Sequence, residues 1–155
     1  MKNTFLIAFA LILFTSCGND DTSNNTFKDY TEENDAEILA YIEANELSAQ
    51  KTDSGLYYVI DNQGTGVQPT SSDNVTVAYK GYFTNGTVFD ASDEDGISFN
   101  LSQVIPGWTE GITYFNEGGS GILLIPSHLG YGSFNYNGIP AGSVLIFDVT
   151  LIAVN

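Results

Sequence analysis

Apolar residues in this chain fall into three different spacings. Between residues 5 and 14 they run almost without interruption. From Ile38 to Leu47 they recur at helical intervals, with Ile38, Leu39, Tyr41, Ile42 and Leu47 marking one stripe. Asn34 with Glu37 three residues on is a capping-box signature, and predicts that a helix of roughly three turns opens there. Beyond Ser54 the period drops to two. Leu56-Tyr57-Tyr58-Val59-Ile60 reads as a strand, and Val75, Val77 and Tyr79 share one face of the next. The stretch from Tyr82 to Phe89 reads as a hairpin, with Asn85-Gly86 supplying the positive φ angles of a tight turn. Ile97, Phe99 and Leu101 lie on one face of a further strand. A short helix is predicted from Pro106 to about Phe115, stopped by Glu117-Gly118-Gly119. Residues 121–125 and 143–154 form the last two strands, with Leu145, Phe147, Val149 and Leu151 on one side of the second. The pattern predicts an α+β fold: a curved antiparallel β-sheet wrapped around one short α-helix, with an extra N-terminal helix.

The uninterrupted apolar run belongs to a leader, residues 1–16, rather than to the fold. Lys2 begins it, the run is too short for a comfortable membrane span, and small residues Thr15-Ser16 precede Cys17. Phe14-Thr15-Ser16-Cys17 resembles the lipobox of bacterial lipoproteins, which implies cleavage before Cys17 and lipidation of that residue. The expectation is a protein anchored through lipidated Cys17 to a bacterial cell-envelope membrane, the outer membrane, facing periplasm or cell surface. Residues 17–30 are polar and aperiodic, a flexible tether. Residues 31–50 form the N-terminal helical segment and 51–155 the main domain. The helix is expected to pack on its own domain; the alternative is a homodimer through its apolar stripe.

Composition narrows the function. The chain of 155 residues carries a formal charge of −15 and four lysines with no arginine, so nucleic-acid binding is excluded. The lone cysteine forbids an internal disulfide, and burial alone must hold the domain together. Asp93-Glu94-Asp95-Gly96 suggests a calcium loop, yet aligning its glycine puts Ala91 and Ser102 where carboxylates are required. His128 is the only histidine and has no companion for zinc, and no serine sits in a Gly-x-Ser-x-Gly turn. Gly118-Gly119-Ser120-Gly121 lacks the Lys-Ser/Thr of a phosphate cradle. No metal and no cofactor is expected.

The single tryptophan lies in Val104-Ile105-Pro106-Gly107-Trp108-Thr109-Glu110-Gly111, at the first turn of the short helix. Around it stand Val77-Ala78-Tyr79-Lys80-Gly81, Gly86-Thr87-Val88-Phe89-Asp90-Ala91-Ser92, and Ile125-Pro126-Ser127-His128-Leu129-Gly130-Tyr131-Gly132. Gly138-Ile139-Pro140 and Leu145-Ile146-Phe147-Asp148-Val149 complete the set. In this order and spacing, over roughly residues 55–154, the chain resembles the FKBP-type peptidyl-prolyl cis-trans isomerases.

The resemblance implies an apolar cavity between sheet and helix. In it, Tyr79, Phe89, Asp90 and Tyr131 would be catalytic, and Phe99, Val104, Ile105, Trp108, Ile139 and Phe147 would bind substrate. Trp108 would carry the proline ring, and the Ile105 amide and Tyr131 hydroxyl would hold substrate carbonyls. The implied function is cofactor-free rotation of X-Pro bonds in exported or unfolded proline-containing polypeptides. The alternative is a low-turnover chaperone or adaptor that grips proline peptides. Where the family often has a basic residue after the Phe-Asp pair, this chain has the acidic loop Ser92-Asp93-Glu94-Asp95-Gly96. Asp90 is therefore expected to find its partner in Tyr131. Ile97 takes a position where an aromatic is common, and Phe134 and Tyr136 lie in the segment before Ile139.

Overall fold

A computed structural model describes residues 27–155; the leader, Cys17 and most of the tether lie outside the described residues. Helix α1 runs Thr31–Ala44, three residues ahead of the start the capping signature predicts. Asp29, not Asn34, satisfies the helix entrance: its Oδ1 accepts from the Thr31 amide at 2.9 Å and the Thr31 hydroxyl at 2.7 Å. Glu32 and Glu33 add negative charge to the first turn, where the helix dipole favours it. Asn34 is thereby left inside the helix, buried, with its amide directed elsewhere.

Seven strands follow: β1 Gln50–Lys51, β2 Tyr57–Asn62, β3 Asn74–Tyr82, β4 Val88–Ala91, β5 Ile97–Asn100, β6 Ser120–Ile125 and β7 Leu145–Val154. They form one antiparallel sheet in the order β1-β2-β6-β7-β3-β4, with β5 also on β3. The outer edge of β3 is shared: residues 74–77 pair with β5 and 80–82 with β4. The acidic loop crosses between them, where the Ser92 hydroxyl takes the Tyr79 amide at 2.9 Å and the Ser92 amide returns to the Tyr79 carbonyl. Two-residue β1 joins the N-terminal helical segment to the sheet and carries no periodicity long enough to read in advance.

Alternation along β6 and β7 divides the interior. Leu123, Ile125, Leu145, Phe147, Val149 and Leu151 face α2, Pro106–Gly111, which lies on the concave side. Leu124 and Ile146 face the other way, and with Tyr57 and Val144 they bury Ile38 of α1. The central sheet is therefore covered on both faces. Tyr41, Ile42 and Leu47 flank the Ile38 contact, whereas Leu39 remains 49% exposed. The apolar stripe of α1 is used within the chain.

Short helix α2 must lie close to β6 because its own few contacts are not enough to hold it. A Cβ at Gly107 would meet Ile125 Cγ2 at 2.5 Å, and one at Gly111 would meet Leu123 Cδ2 at 2.7 Å. Glycine four residues apart leaves the helix a bare stripe, and the β6 side chains fill it. The β3–β4 connection differs from the symmetric Asn-Gly turn expected: only Gly86 has positive φ, +84°. The Asn85 side chain instead accepts from the Thr87 amide at 2.9 Å, and the register shifts between Gly81 and Tyr82. No described helix is long and apolar enough to cross a membrane.

Candidate functional site

Six parts of the chain converge on one cavity of about 650 Å³. β3 brings Tyr79, β4 brings Phe89 and Asp90, β5 brings Phe99, β7 brings Phe147, and the start of α2 brings Val104, Ile105 and Trp108. Residues 127–142, the larger part of the connection between β6 and β7, supply Tyr131 and Ile139 and close one side. All ten cavity residues singled out from the sequence line this one hollow.

Trp108 sits at its base, only 4% exposed. Three rings meet the indole nearly edge-on: Tyr79 at 5.1 Å, Phe147 at 5.3 Å and Phe99 at 5.4 Å between centroids. Each edge-to-face contact sets the positive edge of one ring against the negative face of the other, and together they fix the tilt of the indole. Phe89 in turn stands edge-on to Phe147 at 5.5 Å. Gly81 makes room for this pair, since a Cβ there would meet both rings at 2.7 Å. Among the described residues, the Trp108 Nε1–H is the buried side-chain polar atom without a hydrogen-bond partner.

Polar groups are few. The Tyr79 hydroxyl donates to Asp90 Oδ2 at 2.7 Å. That overturns the expectation that Asp90 pairs with Tyr131, and the reason is strand geometry. Gly81 lies opposite Asp90, so Tyr79, two residues before Gly81 and on the same face of β3, is its diagonal neighbour across the strand pair, whereas Tyr131 comes from the β6–β7 connection. Burial pushes the Tyr79 hydroxyl far above the ordinary tyrosine value, and its bond to Asp90 adds to the shift. Partial burial also raises Tyr131, helped by Tyr136 and Asp90. Both hydroxyls keep their protons through neutral pH. Ile105 has extended backbone, φ −60° and ψ 146°, immediately ahead of α2, and its carbonyl accepts the Trp108 and Thr109 amides.

Three lining residues were not singled out as site residues: Gln103, Tyr136 and Asn137. Gln103 carries no sequence signal. The other two carried one, because Asn137-Gly138 is a hairpin dipeptide. Asn137 (φ +44°) and Gly138 (φ +86°) both occupy the left-handed region, and Tyr136 and Ile139 exchange both backbone hydrogen bonds, at 2.8 and 2.9 Å. This two-residue hairpin forms the tip of the 127–142 connection and presents Tyr136 and Ile139 to the cavity. Tyr136 stacks on Tyr131 at 4.9 Å. Phe134 does not reach the cavity; it is 56% exposed and lies edge-on to Phe27. Ile97 also lies outside the lining, half-exposed opposite Val77 on the rim of the sheet. His128 ties to the Ser54 carbonyl at 2.9 Å, away from the cavity. Among the described residues no cluster of three or more His, Cys, Asp or Glu is arranged to hold a metal ion.

Comparison with known proteins points the same way as this geometry. FkpA of Aeromonas hydrophila, described as an FKBP-type peptidyl-prolyl cis-trans isomerase, is 42% identical over 126 residues, 79% of this chain and 47% of the relative. FkpA of Buchnera aphidicola is 49% identical over 107 residues, 67% of this chain and 42% of that protein. The chain thus spans about half the length of the curated relatives it matches. The crystal structure of FkpA from Escherichia coli superposes with a TM-score of 0.72 at 37% identity, covering 81% of this chain and 61% of that one. A peptidyl-prolyl cis-trans isomerase from Pseudomonas syringae superposes at 0.69 with 27% identity, covering 84% and 99%. The sequence profile of the FKBP-type peptidyl-prolyl cis-trans isomerases matches residues 66–152, a span that holds every residue of the cavity, and the chain belongs to that family.

Proposed function

We propose that this protein is a peptidyl-prolyl cis-trans isomerase acting on X-Pro bonds of exported or unfolded polypeptides. The observation that carries the reading is the aromatic cavity over Trp108, with polar side chains limited to Asp90, the three tyrosines Tyr79, Tyr131 and Tyr136, Gln103 and Asn137. Rotation about an X-Pro bond breaks amide resonance against a barrier of ~18–20 kcal/mol. A planar amide is the more polar form, and water stabilises its separated charges. Rings in place of water remove that support and favour the twisted amide. Each ~1.4 kcal/mol taken from the barrier is worth about tenfold in rate.

In this reading the proline ring lies on the Trp108 face. Phe89, Phe99, Val104, Ile139 and Phe147 wall the ring in. The Tyr131 hydroxyl, bonded to no other described residue, and the Ile105 amide hold the flanking carbonyls. Asp90, fixed by Tyr79, sets the charge at the cavity edge. No nucleophile and no covalent intermediate enters the reaction. The test is turnover of an X-Pro peptide: Phe89→Ala and Tyr131→Ala should each lower kcat/KM by about tenfold or more with the fold intact, and unchanged rates in both would refute the scheme.

A second reading is a slow-turnover grip for proline-containing chains. The exposed Phe134–Phe27 pair favours it, because Phe134 lies on the same connection as Tyr131 and Tyr136 and adds exposed apolar surface to it. Lipid anchorage through Cys17 is part of the proposal and rests on the lipobox-like sequence. Cys17→Ala should move the protein from membrane to soluble fractions. Self-association through α1 would fall to Leu39, since Ile38 is already covered, and sedimentation of the intact protein reads it directly.

A further inference from the structure

The cavity wall formed by residues 127–142 is held from behind by a side chain that never touches the cavity. Asn34 of α1 is 1% exposed and lies more than ninety residues away in sequence. Its Oδ1 accepts the Ser127 amide at 2.8 Å, and its Nδ2 donates to the Gly142 carbonyl at 2.8 Å. Those two backbone groups lie close to the two ends of the connection, two residues after β6 and three before β7. One buried amide therefore closes the neck of the whole loop, from which Tyr131, Tyr136, Asn137 and Ile139 line the cavity. The donor faces a carbonyl and the acceptor faces an N–H, so the amide has a single orientation that satisfies both.

Neighbouring contacts repeat the same connection. The Ser133 hydroxyl donates to the Lys28 carbonyl at 2.6 Å. The Phe134 ring meets Phe27 at 6.4 Å. Gly142 is pressed so closely under Tyr30 that any Cβ would collide with the ring. Within the neck, Gly132 donates to Ser127 and Gly142 donates to Gly132, so the Asn34 bonds close a ladder the loop has begun by itself. No residue from 27 to 47 lines the cavity.

We propose that the N-terminal segment is a brace for the substrate-binding loop, with Asn34 as its positioning residue. Without it, Tyr131 and the Tyr136–Ile139 hairpin tip would sample positions off the Trp108 cavity, and a proline peptide would lose the lid on its site. The helix earns its place beside the domain through this contact as well as through Ile38. The inference rests on the cavity being a proline-peptide site.

The test compares Asn34→Ala with Ile38→Ala, which loosens the same helix without touching the loop. Readouts are KM and kcat on an X-Pro peptide, peptide affinity from Trp108 fluorescence, and amide exchange at residues 127–142. Asn34→Ala should raise KM and the dissociation constant about tenfold with kcat within about twofold, and speed exchange in the loop but not in β6 or β7. Ile38→Ala should lower Tm and leave KM in place. Equal KM and equal loop exchange in Asn34→Ala and wild type, or effects no larger than those of Ile38→Ala, would overturn the brace. Should Asn34→Ala not fold, Ser133→Ala on the exposed side should still speed loop exchange and weaken affinity about twofold; no change there contradicts the proposal equally. A wild type that binds peptide without turnover would end the isomerase reading, while affinity and exchange would still decide the brace.

Discussion

The Tyr79 hydroxyl and the Asp90 carboxylate meet at 2.7 Å along the edge of the cavity, linking two strands that each also carry a cavity ring. Tyr79 thus does two jobs. Its ring stands edge-on to Trp108, and its hydroxyl fixes the direction of the nearest negative charge.

Tyr79→Phe separates those roles. The ring contact with Trp108 survives, while Asp90 loses its donor and turns toward solvent. Stability should fall by no more than about 3 kcal/mol, the upper worth of one hydrogen bond to a charged group. Turnover of an X-Pro peptide should fall by several-fold, about 3 to 10, measured as kcat/KM beside an unfolding curve.

Asp35 joins α1 to the sheet and sets an acid limit. The Lys51 ammonium at 2.5 Å, then the Tyr57 hydroxyl at 2.7 Å, hold its carboxyl below the ordinary value of 3.8. A depressed carboxyl adds stability at pH above its unfolded value, and that stability disappears as pH falls through the folded one. Asp35→Asn should therefore unfold at lower temperature than wild type at pH 7. The two Tm values should begin to approach each other as pH falls below about 3.8 and meet only below the lowered folded value, which a Tm-against-pH series reads directly.

Gly107→Ala tests the closeness of α2 to β6. The new Cβ would stand 2.5 Å from Ile125 Cγ2, deep in the packed core. Helix propensity alone would favour alanine by about 1 kcal/mol, yet overpacking costs about 1–3 kcal/mol, and the second effect should win. Because Trp108 is the next residue, the shift should also move its fluorescence maximum and weaken peptide binding. An unchanged Tm and spectrum would contradict the close approach.

Much of this architecture was legible from residue spacing. Alternation in residues 75–79 and 145–151 marked inward faces correctly, and the Trp108 neighbourhood pointed to a lined hollow. Long-range polar contacts were not legible. Asn34 looked like a helix cap because its sequence neighbours fit one, yet its partners Ser127 and Gly142 are far along the chain. Tyr131 looked the natural partner for Asp90 until strand register brought Tyr79 closer. Two Asn-Gly pairs carry the same local signal, but only at 137–138 do both residues take positive φ, because there the flanking residues pair directly. At 85–86 only Gly86 takes positive φ, and the register of the hairpin shifts further along, between Gly81 and Tyr82.

The central claim is that a ring-lined hollow over Trp108 speeds rotation of a prolyl amide, rather than merely holding it. Exchange between cis and trans X-Pro peptide, followed by NMR with catalytic amounts of protein while Trp108 fluorescence reports binding, measures both at once. Exchange should rise in proportion to protein concentration and drop with Phe89→Ala. Binding that quenches or shifts Trp108 while the exchange rate stays at its uncatalysed value would contradict the claim.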